Sequence, residues 1–250
     1  MNVSFDFSGR TLVLTGANGG IGREVARLFG AAGANLVLSD IDLQSLEEFV
    51  DKELGAYCGR VVTLKVDSSR PDHAHALVKL ASKRFAGIDF LVPSAGIYLA
   101  QPFAQMSDEQ WHQTVSVNLD GVFYICRDAV PFLLEDSSIV HLSSMAAHRG
   151  AFYNAHYSAT KGALISLTRS LARELAPNTR VNAVSPGIVE TPMAIDLIRS
   201  RGADSVAQTP LKRLGQPQEI ASVIGFLCSD AASFVTGEVL HINGGLHMAG

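Results

Sequence analysis

A tyrosine and a lysine that together suit proton transfer stand four residues apart in Tyr157-Ser158-Ala159-Thr160-Lys161. Side chains at positions i and i+4 lie on the same face of a helix. A phenol has a pKa near 10, so it acts as a base at neutral pH only where a nearby positive charge stabilises the phenolate. Lowering that pKa by about three units requires roughly 4 kcal/mol, to which the Lys161 ammonium would contribute. The spacing predicts an acid–base pair, although the same pattern also occurs on solvated helix faces.

A glycine-rich turn, Thr15-Gly16-Ala17-Asn18-Gly19-Gly20-Ile21-Gly22, follows a strand-like apolar run and precedes a segment of helical period. Glycines in such a turn let backbone N–H groups approach a pyrophosphate, and the helix N-terminus adds a positive partial charge. Because two glycines are adjacent, the spacing fits both G-x-x-x-G-x-G and G-x-x-G-x-x-G. The turn predicts a dinucleotide site with contacts from Gly16, Asn18, Gly20, Ile21 and Gly22.

An acid, Asp40, stands 24 residues after Gly16, about where a dinucleotide fold places an acid against the adenosine ribose. Its carboxylate would accept hydrogen bonds from the ribose hydroxyls, with Ile41 beside it, and would repel a 2′-phosphate. The segment Ala17-Asn18-Gly19 holds no Lys or Arg that would pair with that phosphate. We therefore expect NAD(H) rather than NADP(H), and a helix cap is the alternative use of Asp40.

Short apolar runs of strand length alternate with longer segments of helical period along the chain, which predicts a parallel sheet with helices on both faces. The predicted strands are residues 11–15, 35–39, 61–66, 90–93, 138–142, 180–185 and 238–242. The predicted helices are residues 20–32, 43–54, 71–85, 108–134, 155–176 and 217–228. The predicted fold class is α/β, with a doubly wound, Rossmann-type, seven-stranded parallel sheet.

No linker, repeat or low-complexity tract divides the 250 residues, so we expect one domain over residues 1–250. A domain of this size buries about three quarters of its unfolded surface, which is enough for a full core. The longest region without strand signals, residues 188–215, holds Pro192, Gly202 and Pro210. We expect a substrate lid or loop there, with an ordinary surface excursion as the alternative.

The formal net charge of −4 is spread over the chain without a basic run, which argues against nucleic acid or an anionic membrane surface as the main partner. No apolar stretch approaches the length of a membrane span. The first residues carry an acid, Asp6, where a signal peptide needs positive charge and then an apolar stretch. We therefore expect a cytoplasmic protein.

Three cysteines, Cys58, Cys126 and Cys228, are isolated from one another and predict neither a disulfide framework nor a thiolate metal site. His73 and His75 stand two apart in a helical pattern, so their side chains point to different sides of the helix. No metal site is predicted.

The motifs together resemble the short-chain dehydrogenase/reductase family over nearly the full length of the chain. Ser144 precedes Tyr157 by 13 residues, which is the spacing of the catalytic serine and tyrosine in that family. Other matching segments are residues 15–22, Asn118 within 117–121, residues 185–192, 210–215, 236–237 and 243–245. The length fits the shorter form of the family, since its extended sugar-nucleotide branch adds a C-terminal substrate domain for which there is no room.

The resemblance implies hydride transfer between C4 of nicotinamide and a carbinol or carbonyl carbon. Tyr157 would be the general acid in reduction and the base in oxidation, with its pKa lowered by Lys161 and the oxidised ring. Ser144 would hold the substrate oxygen, Lys161 would bind the nicotinamide ribose, and Asn118 would bend its helix to seat a water linking Lys161 to solvent. The further cofactor contacts implied are Asp67 and Ser68 at the adenine, Ala95 and Gly96 at the close approach, and Pro186, Gly187, Ile188 and Thr191 at the nicotinamide.

One segment departs from the family pattern, because Pro93-Ser94-Ala95-Gly96 replaces Asn-Asn-Ala-Gly. Proline removes a backbone donor, and serine is shorter than asparagine for bracing the sheet, so we expect altered local rigidity rather than loss of cofactor binding. The predicted substrate wall is mainly apolar and consists of Ile97, Tyr98, Met145, Phe152, Tyr153, Ile188, Met193 and Leu197.

These features predict an NAD(H)-dependent oxidoreductase that interconverts a secondary alcohol and a ketone of a small molecule. The first alternative is reduction of a 3-oxoacyl group on acyl carrier protein, which Asp40 and the acidic corner Leu134-Glu135-Asp136 disfavour. The second is a dinucleotide-binding sensor or scaffold without turnover. By resemblance, the helices around Asn118 and Tyr157 should pair subunits into a dimer of dimers, a homotetramer.

Overall fold

The computed structural model describes residues 4–248, apart from the side chain of residue 201. The strands are β1 Thr11–Thr15, β2 Asn35–Asp40, β3 Val61–Lys65, β4 Ile88–Pro93, β5 Leu133–Leu142, β6 Thr179–Pro186 and β7 Val239–Ile242. They form one parallel sheet in the order β3-β2-β1-β4-β5-β6-β7. The predicted α/β, seven-stranded fold is confirmed. The strand order reverses between β1 and β4, and open α/β sheets bind ligands in the crevice at such a reversal.

Helices cover both faces of the sheet. They are α1 Gly20–Ala31, α2 Leu43–Phe49, α3 Pro71–Phe85, α4 Asp108–Val115, α5 Gly121–Ala129, α6 Ala146–Arg149, α7 Ala155–Glu174, α8 Ile195–Gln208 and α9 Pro217–Cys228. Leu12 and Leu14 of β1 point to the core under α1, α2 and α9, whereas Val13 points to the core under α3, α5 and α7. Because both faces are buried, the strands are almost continuously apolar, which is why sequence identified them.

The predicted helix over residues 108–134 is wrong in two respects. Its centre is a π-helical segment, Ser116–Asp120, and the helix ends in a 3-10 turn, Val130–Phe132. The next strand, β5, then begins at Leu133 rather than at residue 138. Only the last six residues of β5 are buried, and the acidic residues Glu135 and Asp136 separate Leu133 and Leu134 from that buried run, so the apolar signal of a strand begins only after them.

The region over residues 188–215 is not a plain loop, because it contains the helix α8. An isolated parallel bridge between Val189 and Gly215 joins the two ends of this insertion. Gly215 donates its N–H to the carbonyl of Ile188 at 2.9 Å, and Glu190 donates to the carbonyl of Gly215 at 2.9 Å. Sequence missed the helix because no side chain caps it and because Gly202 lies within it.

The three cysteines are free, as predicted, with Cys58 exposed and Cys126 and Cys228 buried. Burial raises the pKa of both buried thiols to about 12, so they stay protonated. Within residues 4–248, none of the helices is both long and apolar enough to cross a bilayer.

Candidate active site

Three of the four predicted catalytic side chains come together beyond the C-terminal end of β5. Ser144 follows β5 by two residues, and Tyr157 and Lys161 lie in the first turns of α7. All three line a cavity of about 1190 Å³ that also includes the glycine turn. The sheet and one helix therefore bring together groups that come from three separate motifs.

Reciprocal hydrogen bonds join Lys161 to the end of β5. Its Nζ donates to the carbonyl of Leu142 at 2.8 Å, and Ser143 Oγ donates to the carbonyl of Lys161 at 2.9 Å. The Nζ atom lies 5.6 Å from the ring centre of Tyr157. Burial lowers the pKa of Lys161 to about 8, so at neutral pH the side chain is mainly protonated while held against the strand.

Tyr157 lies between two polar neighbours. A side-chain hydrogen bond joins its hydroxyl to Ser144, and the ring of Tyr98 meets its ring edge-on at 4.8 Å between centroids. Burial raises the pKa of Tyr157 to about 12, against the Ser144 hydrogen bond, which lowers it, and with Tyr98, which raises it further. In the chain without a cofactor, burial is therefore the largest influence on this pKa, and the lowering expected from Lys161 together with the oxidised nicotinamide ring stays a prediction.

Asn118 lies at the centre of the π-helical segment and is fully buried. Its side-chain oxygen accepts from the N–H of Ile97 at 2.8 Å, and its nitrogen donates to the carbonyl of Ile97 at 2.9 Å. The predicted distortion of the helix is present, as is frequent for π-helical turns at functional sites. Asn118 does not line the cavity directly; instead it holds the segment after β4 that does.

The glycine turn lines the cavity and also packs against two other segments of the chain. Gly16 has a φ of +64°, and a Cβ there would come within 2.7 Å of the Ala95 backbone. A Cβ on Gly20 would lie 2.8 Å from Thr191 Cγ2, at the base of the insertion that carries α8. These two glycines are therefore required by the close packing of chain segments around the cavity, in addition to any approach of a cofactor.

The segment that departs from the family pattern keeps its place in the sheet. Pro93 pairs with Thr15 in register, and the N–H of Ala95 donates to Thr15 Oγ1 at 3.2 Å. This hydrogen bond joins the ends of β1 and β4, where the family pattern has an asparagine. Ser94 lies on the cavity wall.

Asp40 lies at the far end of the same cavity. One carboxylate oxygen accepts from the N–H of Asn18 at 3.0 Å and the other from the N–H of Asp42 at 3.2 Å. The cap of α2 is Asp42, which accepts from the N–H of Ser45, so the alternative use of Asp40 as that cap is wrong. The carboxylate thus faces the cavity in a fixed orientation.

A guanidinium that sequence reading missed lies close to this end. Arg23, one turn into α1, donates through Nη2 to Asn18 Oδ1 at 2.6 Å and lies 4.9 Å from the ring centre of Phe49. Arg23 stands in the first turn of α1, five residues after Asn18, so its long side chain reaches back to the glycine turn. It lies outside residues 17–19, the segment in which the sequence shows no Lys or Arg. Arg23 lies outside the cavity lining.

All of the predicted cofactor contacts lie on the cavity wall. These are Gly16, Asn18, Gly20, Ile21, Gly22, Asp40, Ile41, Asp67, Ser68, Ala95, Gly96, Tyr157, Lys161, Pro186, Gly187, Ile188 and Thr191. Asp67 is fixed by two hydrogen bonds from Ser69, which lower the pKa of its carboxyl group. His73 accepts from the N–H of Asp67 at 3.0 Å and so has a structural partner.

The substrate end of the cavity is more polar than sequence indicated. All eight predicted apolar wall residues line it, and so does a polar face of α8 that was not predicted. That face consists of Asp196, Ser200, Asp204, Ser205 and Gln208. The spacing of 196, 200 and 204 would have identified one face of a helix, had the helix itself been recognised.

Comparison with known proteins gives consistent matches over almost the whole chain. A family model described as "Enoyl-(Acyl carrier protein) reductase" matches residues 16–247. The chain is 37% identical over 241 residues to the 3-oxoacyl-[acyl-carrier-protein] reductase FabG of Thermotoga maritima. The aligned residues cover 95% of this chain and 98% of that protein. It is 34% identical over 249 residues to the protein of that name from Escherichia coli, covering 97% of this chain and 99% of that protein.

Solved structures are similar over the same extent. One is described as "Short-chain dehydrogenase/reductase SDR:Glucose/ribitol dehydrogenase" from Brucella melitensis, with a TM-score of 0.95, 62% identity and coverage of 99% of this chain and 100% of that chain. Another is a short-chain type dehydrogenase/reductase from Mycobacterium marinum, with a TM-score of 0.91, 31% identity and coverage of 98% of each chain.

Proposed function

Because the chain belongs to the short-chain dehydrogenase/reductase family, a family of oxidoreductases, we propose that it interconverts a secondary alcohol and a ketone of a small molecule with NAD(H). The observation that carries this proposal is that Ser144, Tyr157 and Lys161 line the same cavity as the glycine turn and Asp40. An acid–base group and a dinucleotide cradle on one wall suit transfer of a hydride together with a proton.

The residues present fit a nicotinamide dinucleotide. The glycine turn and the N-terminus of α1 would hold the pyrophosphate, Asp40 the adenosine ribose, and Lys161 the nicotinamide ribose. Asp40 and Tyr157 line the same cavity. When bound, the nicotinamide supplies or accepts the hydride, and its oxidised form adds the positive charge that a phenolate needs.

Tyr157 is the group that gives or takes the proton. With a pKa of about 12 its hydroxyl is protonated at neutral pH, which is the state required to donate to the oxygen of a ketone during reduction. Ser144 shares a hydrogen bond with that hydroxyl and orients the substrate oxygen toward it. Lys161 holds a proton at Nζ beside the ring, against the carbonyl of Leu142.

NAD(H) is the proposed cofactor because the carboxylate of Asp40 lies on the cavity wall whereas the guanidinium of Arg23 does not. A 2′-phosphate would meet the negative charge directly, and like charges at close range in a partly buried site repel strongly. Arg23 is engaged by Asn18 and by the face of Phe49.

The polar face of α8 favours a hydroxyl-rich substrate, such as a polyol or a sugar. Asp196, Ser200 and Asp204 offer acceptors and donors to substrate hydroxyl groups, and α8 would act as the lid over them. The words "Glucose/ribitol dehydrogenase" in the description of the Brucella melitensis protein agree with this substrate class.

Reduction of a 3-oxoacyl group on acyl carrier protein is the second candidate, because the curated relatives at 37% and 34% identity carry that name. Two acidic residues of the lid, Asp196 and Asp204, stand at the cavity, where they would oppose an acidic carrier protein. Asp40 opposes the NADPH that such reductases prefer.

The test is an absorbance assay of turnover with NAD⁺, NADP⁺, NADH and NADPH. The substrates are polyols, sugars, simple secondary alcohols with their ketones, and 3-oxoacyl thioesters. We expect turnover of a hydroxyl-rich alcohol or ketone, with kcat/KM for NADH about tenfold or more above that for NADPH. Turnover confined to 3-oxoacyl thioesters with NADPH would establish the second candidate, and cofactor binding without turnover of any substrate would indicate a sensor.

A further inference from the structure

Three histidines from distant parts of the chain lie together. His148 lies in α6, His241 in β7 and His247 in the segment after β7. Their ring centroids are 4.5 Å apart for His148 and His241, 5.1 Å for His148 and His247, and 5.1 Å for His241 and His247. We call these three residues the histidine cluster.

The spacing of the cluster is close to that of a metal site. One ring nitrogen from each histidine lies within 4.8 Å of the others. A tetrahedral ion about 2.0–2.1 Å from each nitrogen would hold them about 3.3 Å apart. Side-chain rotations that move each ring by about 1 Å would close that difference, which is small for partly exposed side chains.

The polypeptide around the cluster is held by hydrogen bonds that do not use the rings. Arg149 Nη1 donates to the carbonyl of Leu246 at 2.9 Å, and Asn243 Nδ2 donates to the carbonyl of His247 at 2.9 Å. Met145, just before α6, donates its N–H to the carbonyl of Pro186 at the end of β6. The three backbones that carry the rings are therefore already fixed near one another.

One ring nitrogen of the histidine cluster is buried without a hydrogen-bond partner among the described residues. This atom is Nδ1 of His241. Ser185, its register partner in β6, likewise has a buried Oγ without a partner there.

From this geometry we propose that His148, His241 and His247 form a binding site for a divalent transition-metal ion, with zinc as the ion it suits best. Imidazole nitrogens are ligands that zinc prefers, and three of them leave a fourth position for water. Hard ions such as magnesium prefer oxygen ligands and should not bind here. The ion would join α6, which begins two residues after Ser144, to β7 and to the C-terminal segment.

The proposal is tested on full-length, tag-free protein that has been treated with a chelator and dialysed. Zinc chloride, cobalt chloride and magnesium chloride are titrated separately, with calorimetry for zinc and magnesium, the visible absorbance of cobalt, and thermal unfolding. We expect one zinc per chain, a tetrahedral cobalt spectrum, a rise in Tm with zinc, and no response to magnesium.

Two variants decide whether the cluster is the site. His247→Gln removes a ligand from the segment after β7 without disturbing the core, and it should weaken zinc binding about tenfold or more and reduce the rise in Tm at a given zinc concentration. His75→Asn is the matched control, because His75 is a half-exposed surface histidine that lies beside Asp128 and belongs to α3. It should bind zinc as the parent does.

The proposal is overturned if His247→Gln binds zinc with the affinity of the parent, or if the parent takes up no zinc. Binding of inorganic phosphate at low pH without any binding of zinc would also overturn it, because that result would identify a site for anions built from protonated rings. Unchanged cofactor binding by His247→Gln, followed by NADH fluorescence, verifies that the variant is folded.

Discussion

The pKa of the Tyr157 hydroxyl is subject to opposing effects. Burial and the ring of Tyr98 favour the protonated phenol, whereas the hydrogen bond from Ser144 favours the phenolate. Lys161, although only 5.6 Å from the ring centre, has its own pKa lowered by burial. The chain by itself thus keeps the phenol in its acid form, ready for reduction of a ketone.

Replacing Tyr157 with phenylalanine removes the hydroxyl and keeps the ring. General acid–base groups typically contribute about 10²–10⁴-fold to rate. We expect Tyr157→Phe to lose at least about 100-fold in kcat while binding NADH as the parent does, measured by absorbance and by NADH fluorescence. Tyr153→Phe is the control, because Tyr153 also lines the cavity and should keep near-normal turnover. A Tyr157→Phe enzyme within tenfold of the parent would refute the assignment.

The charge of Asp40 is tested by the nearly isosteric change Asp40→Asn. Removal of the negative charge should lower the preference for NADH over NADPH about tenfold, or about 1.4 kcal/mol, measured as the ratio of the two kcat/KM values. Asp42→Asn is the matched control, since it changes an acid two residues away that caps α2. An unchanged ratio in Asp40→Asn would mean that another group, such as Arg23, sets the preference.

Among the elements, β5, α5 and α7 are joined by a series of buried side-chain hydrogen bonds. Thr168 Oγ1 donates to the carbonyl of Leu164 at 2.7 Å and so accepts from Nδ1 of His141 at 2.8 Å. Nε2 of His141 is then the acceptor for the thiol of Cys126 at 3.4 Å. The neutral ring fits this arrangement, and burial lowers the pKa of His141 to about 4.

This lowered pKa predicts acid sensitivity. A histidine whose pKa falls from about 6.5 when unfolded to about 4 when folded takes up a proton on unfolding between those values, so stability is lost as pH falls from 6.5 toward 4. Between pH 7 and pH 5 the loss from this residue is about 2 kcal/mol. Urea unfolding at both pH values should show it, and His141→Asn, which retains a donor to Thr168, should reduce it. Equal pH dependence in both proteins would contradict the assignment.

The lid helix α8 offers a test of the substrate class. Ser200→Leu places a bulky apolar group on the polar face that lines the cavity. We expect KM for a polyol to rise about tenfold, while KM for a simple apolar ketone changes less. Ala203→Leu adds the same side chain at an exposed position outside the lining and should change neither constant. Equal effects of Ser200→Leu on both substrates would argue against recognition of hydroxyl groups by this face.

For the molecule as a whole, three exposed apolar residues lie on or just after a helix that is predicted to pair subunits. Phe123 of α5 is 47% exposed, and Val130 and Leu134, which follow that helix, are 40% and 39% exposed. The helices predicted to form an interface include α5. A solution mass of about four times 26.6 kDa is therefore expected from light scattering.

Introducing charge on this face should divide the assembly. Phe123→Glu is expected to yield a dimer, because a buried unpaired carboxylate disfavours the interface. Gln44→Glu adds the same charge to an exposed position of α2 and should leave the mass unchanged. A parent protein that is monomeric in light scattering would contradict the predicted homotetramer.

Sequence predicted the sheet well because strands buried on both faces are continuously apolar and because the glycine turn fixes the first crossover. It missed α8, which contains Gly202 and whose ends lack capping side chains. It also missed the histidine cluster, because only the return of β7 to the edge of the sheet brings His241 and His247 to His148. The direction of the Tyr157 pKa shift depends on burial, which spacing along a chain does not reveal.

The contact between Gly20 and Thr191 has a consequence for the order in which ligands bind. Gly20 begins α1 at the glycine turn, Thr191 lies near the start of the insertion that leads into α8, and no room for a Cβ remains between them. A shift of the turn on taking up a dinucleotide would therefore displace the base of α8. We expect compulsory-order kinetics, in which the dinucleotide adds first and leaves last and the alcohol or ketone exchanges only in between.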